Sequence, residues 1–406
     1  MGWKNSVSNV NQYLKTHWVY LLIIIIGFVV VHIVLLPFTS ADLEVNLLDW
    51  FNFYEETPVK TALAEPISVY TGPYNYLLLI TKKLQLFFAN QLDIVINDIP
   101  MVKLITIPFE LAAAYAALLI VDSLSSKDEI KNLIFPLILL HPIVLINSAF
   151  WGQCDIIYTG FLLFSFFFLL HEKNGLALVM FGLSISFKFQ AMFFAPFLLL
   201  LIFRKKMKWY ELFIIPMTYL IMHIPSLLAG RSLFSVVMIY FSQAGVVPVL
   251  TGNAPNIYQF IPLHHPEALV IYQIAGVVVA VLIGLIFAWI FKDSPKAKWL
   301  RVLSFTLVLM PYFLPSMLDR YFFPAELFLV LMAIFEKKFW YLPILVTTAS
   351  LLVYYNSYGA VQMGWNAMPS KIAAGINSLV IILMIFSFSR DKVTVFEEVK
   401  LMEQRQ

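Results

Sequence analysis

Cysteine is nearly absent from this chain. Cys154 stands alone, which rules out an intrachain disulfide and any metal site built on a cysteine cluster. Charge is scarce too, at 13% of residues against 61% hydrophobic, and a water-soluble globule carries about 25%. The net charge of +3 is small and its basic residues are dispersed, so the gathered basic face that binds nucleic acid is missing. No glycine-rich phosphate loop, Cys/His metal cluster, heptad repeat, low-complexity linker or pair of similar halves appears. What is abundant is apolar sequence in long runs, which defines a polytopic α-helical membrane protein.

Apolar runs between charged or Pro/Gly-rich breaks predict helices at residues 18–37, 100–122, 132–148, 156–170, 175–188, 190–203, 210–229, 268–291, 301–317, 321–335, 339–356 and 372–389. The first is longer than a signal-peptide core, has no small-residue cleavage site, and reads as a retained helix. The expected fold is therefore all-α, with about 12 spans. One domain is expected over residues 1–389, with a first outer loop at 38–99 and a short cytoplasmic tail at 390–406. Residues 74–92 are apolar enough to span but carry Lys82 and Lys83 centrally. If they lie along the outer interface, most basic residues, including the cluster Arg204-Lys205-Lys206-Met207-Lys208, fall on the cytoplasmic side. If they span, that cluster is inverted, so an interfacial helix is the better reading.

With that parity, Asp42, Glu44, Asp49, Asp155, Lys188, Arg231, Asn253, Asn256 and the Asp319-Arg320 turn all fall on the non-cytoplasmic side. Two stretches concentrate polar groups at the ends of apolar segments: Asn147-Ser148-Ala149-Phe150-Trp151-Gly152-Gln153-Cys154-Asp155 and Lys188-Phe189-Gln190. A charge beside lipid is costly and marks a functional site by default. The plainer reading is that Asp155 and Lys188 pair to lock two helices. The short segments 175–188 and 190–203 carry this parity, since one continuous span there would change it.

These residues also carry a resemblance. Trp151-Gly152-Gln153-Cys154-Asp155 after His141-Pro142, then Phe187-Lys188-Phe189-Gln190-Ala191, Asn253-Ala254-Pro255-Asn256-Ile257-Tyr258-Gln259 and Asp319-Arg320-Tyr321-Phe322-Phe323-Pro324, occur in the same order in integral-membrane glycosyltransferases of the GT-C superfamily. The chain resembles the prokaryotic group similar to the second mannosyltransferase of GPI-anchor assembly, over about residues 36–330. The resemblance implies a sugar donor on a polyprenyl phosphate and a reaction at the outer or lumenal face. It also implies an acidic residue shortly after the first helix, and Asp42 in Ser40-Ala41-Asp42-Leu43-Glu44 holds that position.

Displacing a phosphate from an anomeric carbon needs a base within reach of the attacking hydroxyl, and Asp42 is the candidate. Arg320, with a planar fork suited to phosphate oxygens, is the first candidate to stabilise the departing phosphate, and Lys188 the second. Glu44, Trp151, Gln153, Asp155, Gln190, Asn253 and Asn256 are the candidate substrate-binding residues. The sequence identifies no cofactor with certainty, and Asp42 and Glu44 form a degenerate Asp-x-Glu pair that a divalent cation could bridge. The expected partners are a polyprenyl-phosphate-linked hexose (mannose or glucose), a glycan, glycolipid or protein acceptor, and the lipid bilayer, with no nucleic acid. The expected location is a prokaryotic plasma membrane with the site facing outside.

Other features read as structure. Glu55, Glu56 and Glu65 fit a solvated loop, His264-His265 a proline-flanked loop, His141 helix packing, and Tyr70-Thr71-Gly72-Pro73-Tyr74 a turn into the next helix. Trp50, Tyr70, Tyr74 and Trp151 are placed to stack on a sugar ring. The leading alternative function is a transporter or flippase of a lipid-linked substrate, for which charged midplane groups and broken helices are also suited.

Overall fold

The structure is a computed structural model. It describes residues 2–125, 127–243, 249–262, 265–363 and 368–403, with side chains described except at 242–243, 266, 359–363 and 389–403. The predicted role of His264 therefore lies outside the described residues, as do side chains of the 390–406 tail. Among the described residues the fold is all-α, with no strand beyond isolated bridges joining Leu318 to Gly252 and Asn253.

Every predicted apolar segment carries helix. Trp18–Leu35, Asp98–Leu124, Asp128–Phe150, Leu269–Phe291 and Met368–Phe388 are five helices long and apolar enough to cross a membrane. Asp155–Leu170, Asn174–Phe187, Phe189–Phe203, Trp209–Met222 and Phe323–Phe335 are apolar but shorter. Local chemistry sets several breaks. His141 precedes Pro142, whose ring excludes helical backbone before it, and His141 is accordingly extended at φ −62°, ψ 129°. Lys188 is extended at φ −153°, ψ 131°, between Asn174–Phe187 and a 3₁₀ turn over Phe189–Phe194.

The chain divides into two compact units, Met1–Pro248 with Leu285–Leu300, and Val249–Gly284 with Arg301–Gln406. In the first, side-chain contacts tell the two ends of the helical bundle apart. At one end Tyr20 donates to the Asn132 carbonyl at 2.6 Å, Lys131 pairs with Asp122 at 2.9 Å, and Ser123 meets His171 Nε2 at 2.9 Å. There too Asn174 donates to the Lys206 carbonyl at 2.8 Å, and Arg204 to the Ser294 carbonyl. At the opposite end Lys103 Nζ takes the carbonyls of Leu35, Leu36 and Phe38 at 3.1, 3.1 and 2.6 Å. Lys188 and Asp155 meet at that end at 2.5 Å, and Thr71 donates to the Ser186 carbonyl.

The helices at the segments predicted to span, from Trp18–Leu35 to Ala195–Phe203, thus run alternately between the two ends. The contact from Asn174 to Lys206 makes 174–187 and 195–203 the legs of a hairpin turning at Lys188, not one continuous span. The Lys103 ammonium supplies what the last carbonyls of a helix lack, acting as a remote C-cap on the first span.

Helix Gly72–Leu92 has 21 residues, about 30 Å at 1.5 Å per residue, and still does not cross to the basic end. Its first residues bond to the opposite end, and farther along Gln85 donates to Asp98 Oδ1 at 2.8 Å and Lys82 to Asn52 Oδ1 at 3.2 Å. Lys82 is buried between Glu55 at 3.0 Å and Asp98 at 3.1 Å, and Lys83 donates to the carbonyls of Glu55 and Thr57. Those bonds let a lysine pair sit in an apolar helix. They also give Glu55 a partner where the sequence suggested only solvent. The preceding loop is largely helical, over Leu43–Leu47, Leu48–Phe53 and Val59–Ala64.

In the second unit Arg301 grips Glu336 with Nε at 2.9 Å and Nη2 on the other oxygen, tying the start of Trp299–Phe313 to the end of Phe323–Phe335. Ser304 donates to the Phe328 carbonyl at 3.0 Å. Ala349, Val353 and Ala373 form the seam between the last two helices.

Candidate active site

The first unit brings several of the predicted residues together. Ser40 begins the arrangement. Its hydroxyl accepts the Leu43 N–H at 3.1 Å, as an N-cap does, and donates to the Trp151 carbonyl at 3.1 Å. That pins the helical turn carrying Asp42 to the loop between Phe150 and Asp155. Gly152 lies there at φ 74°, and a Cβ on it would meet Leu43 Cδ1 at 3.1 Å, so glycine allows both the left-handed turn and the close approach. The Gln153 N–H returns to the Asn147 carbonyl at 2.8 Å, which aims the Gln153 side chain toward the first loop.

Asp42 is half-buried and held by two neutral amides. Asn46 Nδ2 donates to Oδ1 at 2.9 Å and Gln153 Nε2 to Oδ2 at 2.7 Å. Tyr70 then donates its hydroxyl to Gln153 Oε1 at 3.0 Å. The Tyr70 ring lies 5.5 Å from Lys188 Nζ, with Trp50 edge-on at 5.6 Å and Tyr74 at 4.8 Å. Lys188 donates to Asp155 Oδ1 at 2.5 Å, and Asn147 Nδ2 to Asp155 Oδ2 at 2.8 Å. A continuous polar chain thus runs from Asn46 through Asp42, Gln153, Tyr70 and Lys188 to Asp155 and Asn147. Asp155 is 0% exposed and begins helix Asp155–Leu170, where a carboxylate is favoured by the positive end of the helix dipole.

Glu44 is exposed and accepts the Thr39 hydroxyl at 2.5 Å. The hydrogen bonds seen on Asp42 come from amide N–H groups, one on each oxygen. Trp151 is buried, and its carbonyl serves the Ser40 bond. Gln190 lies in the 3₁₀ turn after Lys188, with its amide oxygen buried and unbonded.

The second unit holds the remaining predicted residues. Asn253, at φ 64° and 3% exposed, donates to the Val353 carbonyl at 2.8 Å and the Ser357 hydroxyl at 2.5 Å, and accepts from Asn356 and Ser370. Its amide is thus occupied by protein partners on both sides. Asn256 donates to the Leu314 carbonyl at 3.2 Å while its Oδ1 is buried and unbonded. Arg320 Nη1 lies 3.5 Å from Asp319 Oδ1, and Asp319 Oδ2 accepts the Ser357 hydroxyl at 2.5 Å. The turn precedes Phe323–Phe335, so Arg320 comes just before a helix and not within one.

Sequence reasoning passed over Asn46 and Lys103, singled out the stretch from Asn147 without giving that residue a role, and took Tyr70 for a stacking platform. A lysine near the start of an apolar span was the available signal for Lys103, since a buried ammonium needs acceptors. Nothing in the spacing pointed to Asn46.

Helices alternating between two ends, with carboxylates, amides and an ammonium gathered at one of them, belong to a membrane glycosyltransferase of the GT-C type. More particularly, the chain belongs to glycosyltransferase family 87, whose family model matches residues 98–315, just over half of the sequence. That stretch includes Gln153, Asp155, Lys188, Asn253 and Asn256, while Asp42 and Arg320 lie outside it. No curated protein matches the chain.

Proposed function

We propose that the protein transfers one hexose, mannose or glucose, from a polyprenyl phosphate to an acceptor hydroxyl on a glycan, glycolipid or protein, at the non-cytoplasmic face. The observation that carries this reading is Asp42, a half-buried carboxylate at the membrane end of the first loop, held by two neutral amides. Asp42 takes the proton of the acceptor hydroxyl as its oxygen bonds to the anomeric carbon. The bond from that carbon to the phosphate oxygen breaks, its electron pair leaves with the polyprenyl phosphate, and the configuration inverts. Gln153, itself steadied by Tyr70, fixes the direction of the base. Arg320 receives the departing phosphate charge, with Lys188 second because Asp155 already balances it. Gln190 and Asn256, each with a buried unbonded amide oxygen, are proposed to meet sugar hydroxyls, and Trp151, Asp155 and Asn253 are proposed as further substrate-binding residues. Membership of a glycosyltransferase family weighs against the transporter alternative.

The proposed face follows from the charge at the opposite end of the first unit. Lys127, Lys131, Lys173 and the Arg204 to Lys208 cluster lie there, and basic residues flanking spans stay in the cytoplasm. The count proposed with this placement is about 12 spans.

Purified protein given radiolabelled polyprenyl-phosphate mannose or glucose should move label off the lipid onto an acceptor extract. Label that stays on the lipid with both donors would refute the donor class. For the face, cysteines replacing exposed Lys60 and Lys206 give opposite predictions with a membrane-impermeant thiol reagent in intact cells. The first should react and the second should not, and the buried native Cys154 keeps the background low.

A further inference from the structure

A second polar cluster lies in the first unit, unused by the reaction above. Helix Ile224–Ala229 ends on Gly230 at φ 113°, and the N–H groups of Gly230 and Arg231 bond back to the Leu227 and Ser226 carbonyls at 3.1 and 3.0 Å. This is a Schellman turn, which needs glycine at the left-handed position and fixes the direction in which the next residue leaves. That residue, Arg231, is 7% exposed. Its one side-chain hydrogen bond runs from Nε to Ser235 Oγ at 3.3 Å, and among the described residues no carboxylate comes within 4.0 Å of it.

Three phenols from three elements stand close enough to feel the guanidinium charge: Tyr54 of the first loop, Tyr76 of Gly72–Leu92 and Tyr219 of Ile214–Met222. Tyr76 shares a hydrogen bond with Ser226 at 2.8 Å, and Tyr219 donates to the Val236 carbonyl at 2.8 Å. Tyr54 is fully buried and its hydroxyl has no partner. Burial pushes the Tyr54 phenol up, so it stays a protonated donor. Exposed Glu65 contributes charge to the surroundings but no ion pair.

A buried guanidinium without a counter-ion is strongly disfavoured unless an anion joins it. The fork of Arg231 and the idle hydroxyl of Tyr54 are donors without an acceptor, the complement of phosphate oxygens. The cluster also adjoins the Asp42 network, because Gly72 donates its N–H to His223 Nε2 at 3.3 Å while Tyr70, two residues earlier, bonds Gln153. We propose that Arg231 and Tyr54 form an oxyanion-binding site that seats the phosphate of a lipid at this end of the bundle. The inference rests on the glycosyltransferase reading only for the identity of the lipid that brings the phosphate.

The test is binding, not transfer. Thermal unfolding of the purified full-length protein is followed with sugar-free polyprenyl phosphate, with phosphatidylglycerol and with inorganic phosphate, for wild type, Arg231→Gln, Tyr54→Phe and Asp42→Asn. Polyprenyl phosphate should raise the unfolding temperature of wild type and Asp42→Asn. Arg231→Gln should bind it about 10- to 100-fold more weakly, the range for hydrogen bonds to charged groups, and Tyr54→Phe should lose a smaller part. Equal stabilisation by phosphatidylglycerol would make the ligand a bilayer headgroup. A response to inorganic phosphate would show that the site reads the phosphate itself.

Without any anion, Arg231→Gln should be at least as heat-stable as wild type, because it removes an uncompensated buried charge. A variant destabilised without anion would make Arg231 a structural group and overturn the proposal. So would equal binding by Arg231→Gln, or a wild type that answers none of the three ligands. Protein that binds through Arg231 but transfers no sugar would refute the reaction proposed above and leave this site standing.

Discussion

Asp42 and Asp155 lie at the same end of the first unit and are joined by one polar chain, yet they are held in opposite ways. Asp155 is 0% exposed, salt-bridged to Lys188 at 2.5 Å and hydrogen-bonded by Asn147. Asp42 is half-buried, with both oxygens on neutral amides. An ammonium on a buried carboxylate ties together the two segments that carry the pair, whereas amide donors fix the direction in which a carboxylate points. Holding by amides therefore suits a base, and holding by an ammonium suits a lock between helices.

The contrast breaks first at Asp42. Asp42→Asn keeps the size and most hydrogen bonds but removes the proton acceptor, so turnover should fall by about 10² to 10⁴, the range for a lost general base, with donor binding kept. Wild-type turnover in this variant would move the search for the base to Asp155.

Asp155→Asn should act on folding instead. It breaks the buried pair with Lys188, at a cost of about 3 to 5 kcal/mol, and thermal unfolding of the purified variant should show it. The double change Asp155→Asn with Lys188→Gln should recover much of that loss. A double variant as fragile as the single one would mean that Asp155 matters for more than its partner.

Arg320 tests the other side of the reaction. Arg320→Ala should cost about 2 to 4 kcal/mol of transition-state stabilisation, seen in kcat/KM for the donor. Arg320→Lys should recover only part, since a point charge does not reproduce the fork. The smallest effect belongs to Glu44→Gln, about 0.5 kcal/mol or less in stability for an exposed side chain. A large loss of activity there, together with sensitivity to a chelator, would establish the divalent-cation reading.

The alternation of helices in the first unit was legible because long apolar runs and clustered basic residues both follow from the bilayer as solvent. The place of Gly72–Leu92 was legible from Lys82 and Lys83, though the acids that receive Lys82 were not. The meeting of Asp155 and Lys188 could be guessed, since opposite charges in apolar sequence need partners. That Gln153 holds Asp42 could not, because a neutral amide leaves no periodicity or charge pattern. The partners of Lys103 were equally opaque, since they are backbone carbonyls, which every residue has. Asn253 was conspicuous as a polar residue in a motif, but the partners that hold it, Val353, Ser357, Asn356 and Ser370, were not legible.

The hydrogen bond from Gln153 to Asp42 links residues 111 positions apart, whereas Lys188 follows Asp155 by only 33. A chain is made from its N-terminus at about 5–20 residues per second, so these distances are also intervals of time. The lock between Asp155 and Lys188 closes within one freshly made hairpin. Asp42 emerges early and waits through several further helices for the side chain that orients it. A newborn chain thus carries its proposed base for some seconds before that base has a direction, and acquires it only when the bundle around it is in place.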